Sequence, residues 1–229
     1  MTDIVANFHQ LQRRISATLE SCNRASNAIT LLAVSKSHSH DQIATLFAAG
    51  QHSFGENYLD EALEKISALN HLNIIWHFIG TVQSKKAQKI AQNFSWVHTV
   101  CRFKEAALLS QHRTTQRSPL NICLQVKMDD NSPSRNGVRT DKVMSLIEQI
   151  KPLPYLKLRG LMMLPPLTDD FEQQRFYFRA LRMLYDSCNQ QGAGFDTLSM
   201  GMSHDFEAAI LEGATMIRIG TEIFGPRRT

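Results

Sequence analysis

The sequence predicts an α/β fold, a single (β/α)8 barrel of the TIM-barrel class that spans residues 1–229 as one domain and carries an extra N-terminal helix. Two observations predict it. Eight short apolar segments alternate with helical segments along the chain. Within each apolar segment the apolar residues follow one another, instead of alternating with polar residues. Strands of that kind are buried on both faces, as in a parallel sheet covered by helices. Eight such units close into a barrel.

The N-terminal segment is predicted to be an amphipathic helix, because apolar residues recur at every third or fourth position. These residues are Val5, Phe8, Leu11, Ile15, Leu19 and Cys22. Arg13, Arg14 and Glu20 fall on the other face. This helix precedes the first strand and is therefore additional to the eight repeated units.

The predicted strands and helices then follow in strict alternation. The strands span residues 31–36, 52–57, 74–80, 96–100, 120–128, 156–164, 197–202 and 216–219. The helices between them span residues 41–49, 58–69, 85–93, 103–112, 141–150, 171–189 and 205–213. Residues 129–140 are predicted to be a long irregular loop. A doubly wound open sheet is the alternative, but it usually has fewer strands and often a glycine-rich turn after the first, which this sequence lacks.

Composition indicates a soluble protein that binds small molecules. The net charge is +4, and Lys and Arg are scattered, so we expect small anions as ligands and no nucleic acid. No apolar run is long enough for a membrane span, and residues 1–20 lack a signal-peptide pattern. The four cysteines show neither close pairing nor metal spacing, which indicates reduced thiols and a cytoplasmic location.

Lys36 is the first candidate for chemistry. It ends the segment LLAVSK, so its amine is expected at the carboxyl end of the first strand, where barrel active sites form. A lysine there forms an imine with a carbonyl compound when desolvation or a nearby cation lowers its pKa. The alternative is a lysine that simply extends into solvent.

A phosphate site is predicted after the seventh and eighth strands. Ser203 offers a hydroxyl and a backbone N–H, and Gly220 with Thr221 lets a ligand approach the backbone closely. These two loops are the usual phosphate site of such barrels. Taken alone, Ser203 is better explained as a helix cap and Gly220 as a simple turn, but together at the two expected loops they favour a phosphate site.

Three further residues are expected near the same mouth. Arg218 lies on an apolar strand, so its charge requires a ligand, such as a ring nitrogen, or a salt bridge across the barrel, for instance to Glu56. His77 is a candidate to line a ligand ring, although a strand histidine is also a common structural hydrogen-bonding group. Met202 follows the seventh strand at the same mouth, whereas Met162 and Met163 on the sixth strand are expected in the core, although methionine also suits the wall of a flat ring pocket. The nine histidines show no metal-ligand spacing, so no metal site is predicted.

Several segments together resemble one known family. They are AVSK, FGENY, WHFIG, QSKK, RGLM, LSMGMSHDFEAAI and RIGTEIFG, and they run from about residue 31 to residue 226. The chain resembles the pyridoxal phosphate homeostasis protein family, which is related to the N-terminal barrel of alanine racemases. The resemblance implies that pyridoxal 5′-phosphate (PLP) is held as a Schiff base on Lys36.

The resemblance also implies roles for the other residues. Ser203, Gly220 and Thr221 would hold the phosphate, Arg218 would face the pyridine nitrogen, and Asn57 and His77 would lie near the ring with Met202. The implied function is intracellular PLP homeostasis and amino-acid balance, without catalytic turnover. Three positions depart from the family pattern: His38 and Arg135 stand where lysines are usual, and Glu222 stands where a small residue is common.

Three functions remain open at this point. The first is the PLP carrier, expected to be a monomer that passes the cofactor transiently to apoenzymes. The second is a small alanine-racemase-like enzyme acting on amino acids. Against it stand Arg218 at the ring nitrogen, which weakens the cofactor as an electron sink, and the sequence ending at Thr229, which leaves no room for a second domain. The third is a Schiff-base aldolase without cofactor.

Overall fold

Eight parallel strands close into a barrel in the computed structural model, which describes residues 3–128 and 136–225. The strands in chain order are β1 (Thr30–Val34), β2 (Ser53–Glu56), β3 (Ile75–Phe78), β4 (Trp96–Val100), β5 (Leu120–Lys127), β6 (Val138–Arg139), β7 (Leu156–Met163), β8 (Thr197–Ser199) and β9 (Met216–Ile219). The ring runs β1-β2-β3-β4-β5-β7-β8-β9, and pairing of β9 with β1 closes it. The predicted barrel is confirmed.

Helices alternate with the barrel strands and cover the outside. They are α1 (Ile4–Ser21), α2 (His40–Ala48), α3 (Leu59–Ala68), α4 (Ala87–Asn93), α5 (Phe103–His112), α6 (Val143–Ile150), α7 (Phe171–Gln190), α8 (Phe206–Leu211) and α9 (Thr221–Phe224). The short helix α9 was not predicted. Among the residues that the structure describes, no helix is both long and apolar enough to cross a bilayer.

Regular structure is present at residues 138–142, where an irregular loop was predicted up to residue 140. Val138 and Arg139 form β6, which pairs in parallel with the end of β5, and a short 3-10 turn, Thr140–Lys142, follows. The prediction of a continuous loop over 129–140 is therefore wrong at its C-terminal end. Arg135 lies outside the described residues.

Helix α1 is the predicted extra helix, and it packs on the last helices of the chain. Its apolar stripe is buried against the core. Arg14 binds Glu207 of α8 and Glu222 of α9, both at 2.9 Å, and Asn7 Nδ2 donates to the Ile223 carbonyl at 3.1 Å. The N-terminal helix thus connects the elements that follow β8 and β9.

Strand register decides which side chains face the interior of the barrel. Successive side chains on a strand point to opposite faces. Gly55 pairs with His77 and Glu56 pairs with Phe78 across β2 and β3. Phe78 packs on Phe94 at the end of α4, so Glu56 and Phe78 face the helices, whereas Gly55 and His77 face the interior.

Candidate functional site

A cavity of about 370 Å³ opens at the carboxyl ends of the strands. This volume is within the usual range of small-molecule sites. Its lining residues come from the ends of several strands. They are Val34, Lys36, Asn57, Ile79, Met162, Leu164, Met202, Ser203, His204, Arg218, Gly220 and Thr221. The structure therefore brings together all of the predicted site residues except His77.

Lys36 lies two residues beyond β1, whose last residues are apolar and buried, and it lines the cavity. Leu32 and Ala33 are fully buried, and Val34 also lines the cavity. Beyond the strand, the Ser35 N–H donates to the Gly55 carbonyl at 3.0 Å, which continues the pairing with β2. The residue after Lys36 turns the chain sharply, with φ of 64° at Ser37.

The loops after β8 and β9 approach Lys36 closely. A Cβ added at Gly220 would lie 3.1 Å from the Val34 carbonyl oxygen, so glycine allows β9 to end tightly against β1. Gly201 has φ of 95°, and the Asp205 carboxylate accepts from the Met202 N–H at 2.5 Å. These contacts fix the turn that presents Ser203 to the cavity.

Arg218 is buried inside the barrel and also lines the cavity. Its guanidinium donates to the Met163 carbonyl at 2.8 Å and to Ser199 Oγ at 2.9 Å, which are both neutral acceptors. Burial lowers the pKa of Arg218 to about 10, so the group remains charged at neutral pH. The salt bridge to Glu56 that was the alternative explanation does not form, because Glu56 faces the helices and binds Lys65.

His77 does not line the cavity. It lies in the barrel interior, stacked on Trp96 with ring centroids 5.4 Å apart, and its Nδ1 is 2.9 Å from His98 Nε2. Ile79, two residues further along and therefore on the same face, lines the cavity. Burial lowers the pKa of His77 to about 3, so its ring is neutral.

A single chain of hydrogen bonds connects Arg218 to His77. Arginine only donates, so the Ser199 hydroxyl accepts from Arg218, and the same oxygen lies 3.0 Å from His98 Nδ1. His98 Nε2 in turn lies 2.9 Å from His77 Nδ1. These contacts are satisfied when both neutral rings carry their proton on Nε2 or when both carry it on Nδ1, so the tautomers of the two rings are coupled. In both cases His77 Nε2 has no partner within the described residues.

The cavity combines groups that suit an anionic carbonyl compound with a flat ring. Lys36 supplies an amine, Arg218 a permanent positive charge, and Ser203 and Thr221 supply hydroxyl groups. Apolar side chains form much of the remaining wall, together with Asn57 and His204. Among residues 3–128 and 136–225 no cluster of three histidine, cysteine, aspartate or glutamate residues is suited to a metal ion.

Several lining residues were not predicted as site residues. They are Val34, Ile79, Met162, Leu164 and His204. Each lies at or just beyond the end of a predicted strand, and that position was the available indication. His38 stacks on Phe224 with ring centroids 4.5 Å apart.

The sequence matches the family described as alanine racemase, N-terminal domain, over residues 7–228. Fold and site thus define a barrel of the alanine-racemase type. A pyridoxal phosphate homeostasis protein of Pseudomonas aeruginosa is 44% identical, covering 99% of this chain and 97% of the relative. That of Escherichia coli K12 is 40% identical, covering 99% and 98%. The chain belongs to the pyridoxal phosphate homeostasis protein family.

A solved structure agrees with this assignment. PipY of Synechococcus elongatus PCC7942, determined with PLP bound, is 34% identical in sequence with a TM-score of 0.82. The alignment covers 92% of this chain and 100% of PipY.

Proposed function

We propose that this protein binds PLP in the cavity at the barrel mouth, as a Schiff base on Lys36. The observation that carries the proposal is that Lys36 shares one cavity with Ser203, Gly220 and Thr221, which are remote from it in sequence. The neutral amine of Lys36 adds to the aldehyde carbon, a C=N bond forms, and one water molecule leaves. PipY, a relative solved with PLP bound, supports the choice of ligand.

In this proposal, the other lining residues contact different parts of the cofactor. Ser203 and Thr221, with the backbone at Gly220, hold the phosphate at the loops after β8 and β9, and Arg218 donates to the ring nitrogen. Asn57 and Met202 lie beside the ring. The buried guanidinium has no carboxylate hydrogen-bonded to it within the described residues, which suits a ligand atom that accepts a hydrogen bond.

The physiological role that we propose is cytoplasmic PLP homeostasis and amino-acid balance, exercised by a monomeric carrier. The names of the relatives support the homeostasis role. Arg218 supports a carrier over an enzyme, because arginine keeps its proton and leaves the ring nitrogen unprotonated, which weakens the cofactor as an electron sink. In this role the protein delivers PLP to apoenzymes through transient contacts.

A delivery experiment tests this function. The purified protein is loaded with PLP, its absorption spectrum is recorded, and it is mixed with a PLP-dependent apoenzyme in the presence of a phosphatase that destroys free PLP. A carrier shows a visible imine band and reactivates the apoenzyme where the same amount of free PLP does not. A colourless protein, or reactivation no better than with free PLP, would contradict the carrier function. Light scattering measures whether the protein is a monomer.

A further inference from the structure

Lys65 is a buried lysine on α3 whose side chain is only 6% exposed. Lysine is almost never fully buried unless it is paired. The Lys65 ammonium has three N–H bonds, and it has three acceptors: the Ser35 carbonyl at 2.7 Å, Glu56 Oε1 at 2.8 Å and Glu61 Oε1 at 2.5 Å. All three donors are used, so the site fits a charged lysine.

The acceptors that bind Lys65 also involve both sequence neighbours of Lys36, namely Ser35 and Ser37. Ser35, the residue before Lys36, also donates its hydroxyl to Glu56 Oε1 at 2.6 Å. Ser37, the residue after it, donates its backbone N–H to Glu61 Oε1 at 2.6 Å. The chain on either side of Lys36 is therefore held by one ionic cluster.

The backbone at Ser37 requires such support. Its φ of 64° is left-handed, a conformation that costs free energy for a residue with a side chain. The hydrogen bond from the Ser37 N–H to Glu61 stabilises that turn. A second hydrogen bond spans the same turn, from the His38 N–H to the Ser35 carbonyl at 3.1 Å.

The cluster lies outside the cavity. Glu56 faces the helices, as its register with Phe78 requires, and Lys65 approaches it from α3. Neither Glu56, Glu61 nor Lys65 lines the cavity. Any effect of Lys65 or Glu61 on a bound molecule is therefore indirect, and their hydrogen bonds lead to the backbone on either side of Lys36. Glu56 is also the neighbour of Asn57, which lines the cavity, so the test relies on Lys65 and Glu61.

We propose that Lys65, with Glu56 and Glu61, is a positioning group that holds the Lys36 segment in the geometry needed for Schiff-base formation. We call these three residues the Lys65 cluster. The proposal rests on the proposed function, in which Lys36 forms the imine. Misplacement of a reacting group by about 1 Å can cost on the order of 100-fold in rate. Loosening residues 35–37 should therefore slow imine formation and leave the phosphate loops intact.

The experiment compares two ligands across four proteins. The proteins are the wild type, Lys65→Met, Glu61→Ala and the control Asp60→Ala. Asp60 is also in the first turn of α3, but its side chain is 80% exposed and pairs with Lys86. The ligands are PLP, followed by the rate of appearance and the amplitude of the imine band, and 4-deoxypyridoxine 5′-phosphate, which has a methyl group in place of the aldehyde and reports binding without the imine.

The expected result is selective. Lys65→Met and Glu61→Ala slow imine formation by about 10- to 100-fold, while the Kd of the analogue stays near that of the wild type and Asp60→Ala behaves like the wild type for both ligands. Unchanged imine formation in Glu61→Ala, or equal losses for PLP and the analogue, would overturn the proposal. Glu61 is 29% exposed, so its variant decides the matter if Lys65→Met does not fold.

The wild-type arm separates the two proposals. If wild-type protein binds both ligands and forms no imine on Lys36, the proposed Schiff base is itself wrong and the positioning role falls with it. If the wild type forms the imine and Glu61→Ala forms it equally fast, only the positioning role is wrong.

Discussion

Inside the barrel, Arg218 donates to Ser199 Oγ at 2.9 Å, and that same hydroxyl lies 3.0 Å from His98. Among the described residues, Ser199 is hydrogen-bonded to both the arginine and the histidine. Removing it leaves an N–H of Arg218 and His98 Nδ1 buried without partners, and such groups cost about 1–3 kcal/mol each.

Ser199→Ala is therefore expected to lower the free energy of unfolding by about 2–6 kcal/mol for the two groups, and to weaken PLP binding because the guanidinium loses one of its two fixed contacts. Denaturant unfolding and a binding titration measure these effects. Ser187→Ala, on the exposed face of α7, is the control and should match the wild type. Wild-type stability in Ser199→Ala would show that the hydrogen-bond chain contributes nothing.

Lys36→Ala is expected to abolish the visible imine band. Among the described residues that line the cavity, Lys36 is the only lysine, and the cavity also contains the proposed phosphate ligands Ser203, Gly220 and Thr221. Borohydride reduction of the wild type followed by peptide mapping should place the pyridoxyl group on Lys36. Lys85→Ala, in the turn before α4, serves as the control and should keep the band. Label on Lys85 or Lys86 in the wild type would contradict the assignment.

Ser203→Ala is expected to weaken PLP binding by roughly 10- to 100-fold, since a hydrogen bond to a charged group contributes about 1.5–3 kcal/mol. Pyridoxal, which lacks the phosphate, should bind the variant and the wild type alike. Both Kd values are measured by titration of the imine band. Equal losses for the two ligands would assign Ser203 to the fold and not to the phosphate.

The interior histidines make stability depend on pH. Burial lowers the pKa of His77 from 6.5 to about 3, so the folded state favours the neutral ring. The stability that this contributes is complete above about pH 6.5 and is lost as the pH falls towards 3, at about 1.4 kcal/mol per pH unit for one histidine.

His77→Gln should therefore reduce the slope of the free energy of unfolding against pH between pH 6 and pH 4. The expected reduction is about 1.4 kcal/mol per pH unit, which corresponds to one proton. The glutamine oxygen can still accept from His98 Nε2. Denaturant unfolding at a series of pH values gives the slope. His71→Gln, at an exposed position, should leave the slope unchanged, and an unchanged slope in His77→Gln would mean that this ring is not neutral and buried in solution.

We expect the loaded protein to exchange the α-proton of amino acids no faster than free PLP does. Arg218 leaves the ring nitrogen unprotonated in the proposed complex, and a positioned general base would be needed to add the usual 10²–10⁴-fold. Exchange of L-alanine and other amino acids in D2O, followed by NMR, measures this. Exchange at several turnovers per second with formation of the D-enantiomer would identify a racemase.

The barrel and most of the cavity could be predicted because both follow from strand periodicity. Continuous apolar strands fix the parallel sheet, and the carboxyl ends of its strands must meet, which brings Ser203 and Gly220 to Lys36. The depth of a side chain within the barrel is not fixed in this way. His77 and Ile79 share a face, and only the three-dimensional packing shows that Ile79 is the one that reaches the cavity.

The Lys65 cluster could not be predicted from the sequence. Lys65 lies three residues after Ala62 and four before Leu69, so the pattern of α3 places it on the apolar face, but a lysine at such a position ordinarily extends its amine to solvent. Its burial arises because Glu56 and Ser35 present oxygen atoms on the helix side of two adjacent strands. That arrangement depends on the register between β1 and β2.

Closure of the ring by β1 and β9 sets an order of events during protein synthesis. β1 is made first among the strands and β9 last, yet Ala33 pairs with Ile219 in the finished barrel. A nascent chain that lacks β9 has Lys36 but not Gly220 or Thr221, which are two of the three residues proposed to hold the phosphate. If the proposed site is correct, we therefore expect tight binding of PLP only after the final strand has been synthesised and has paired with the first.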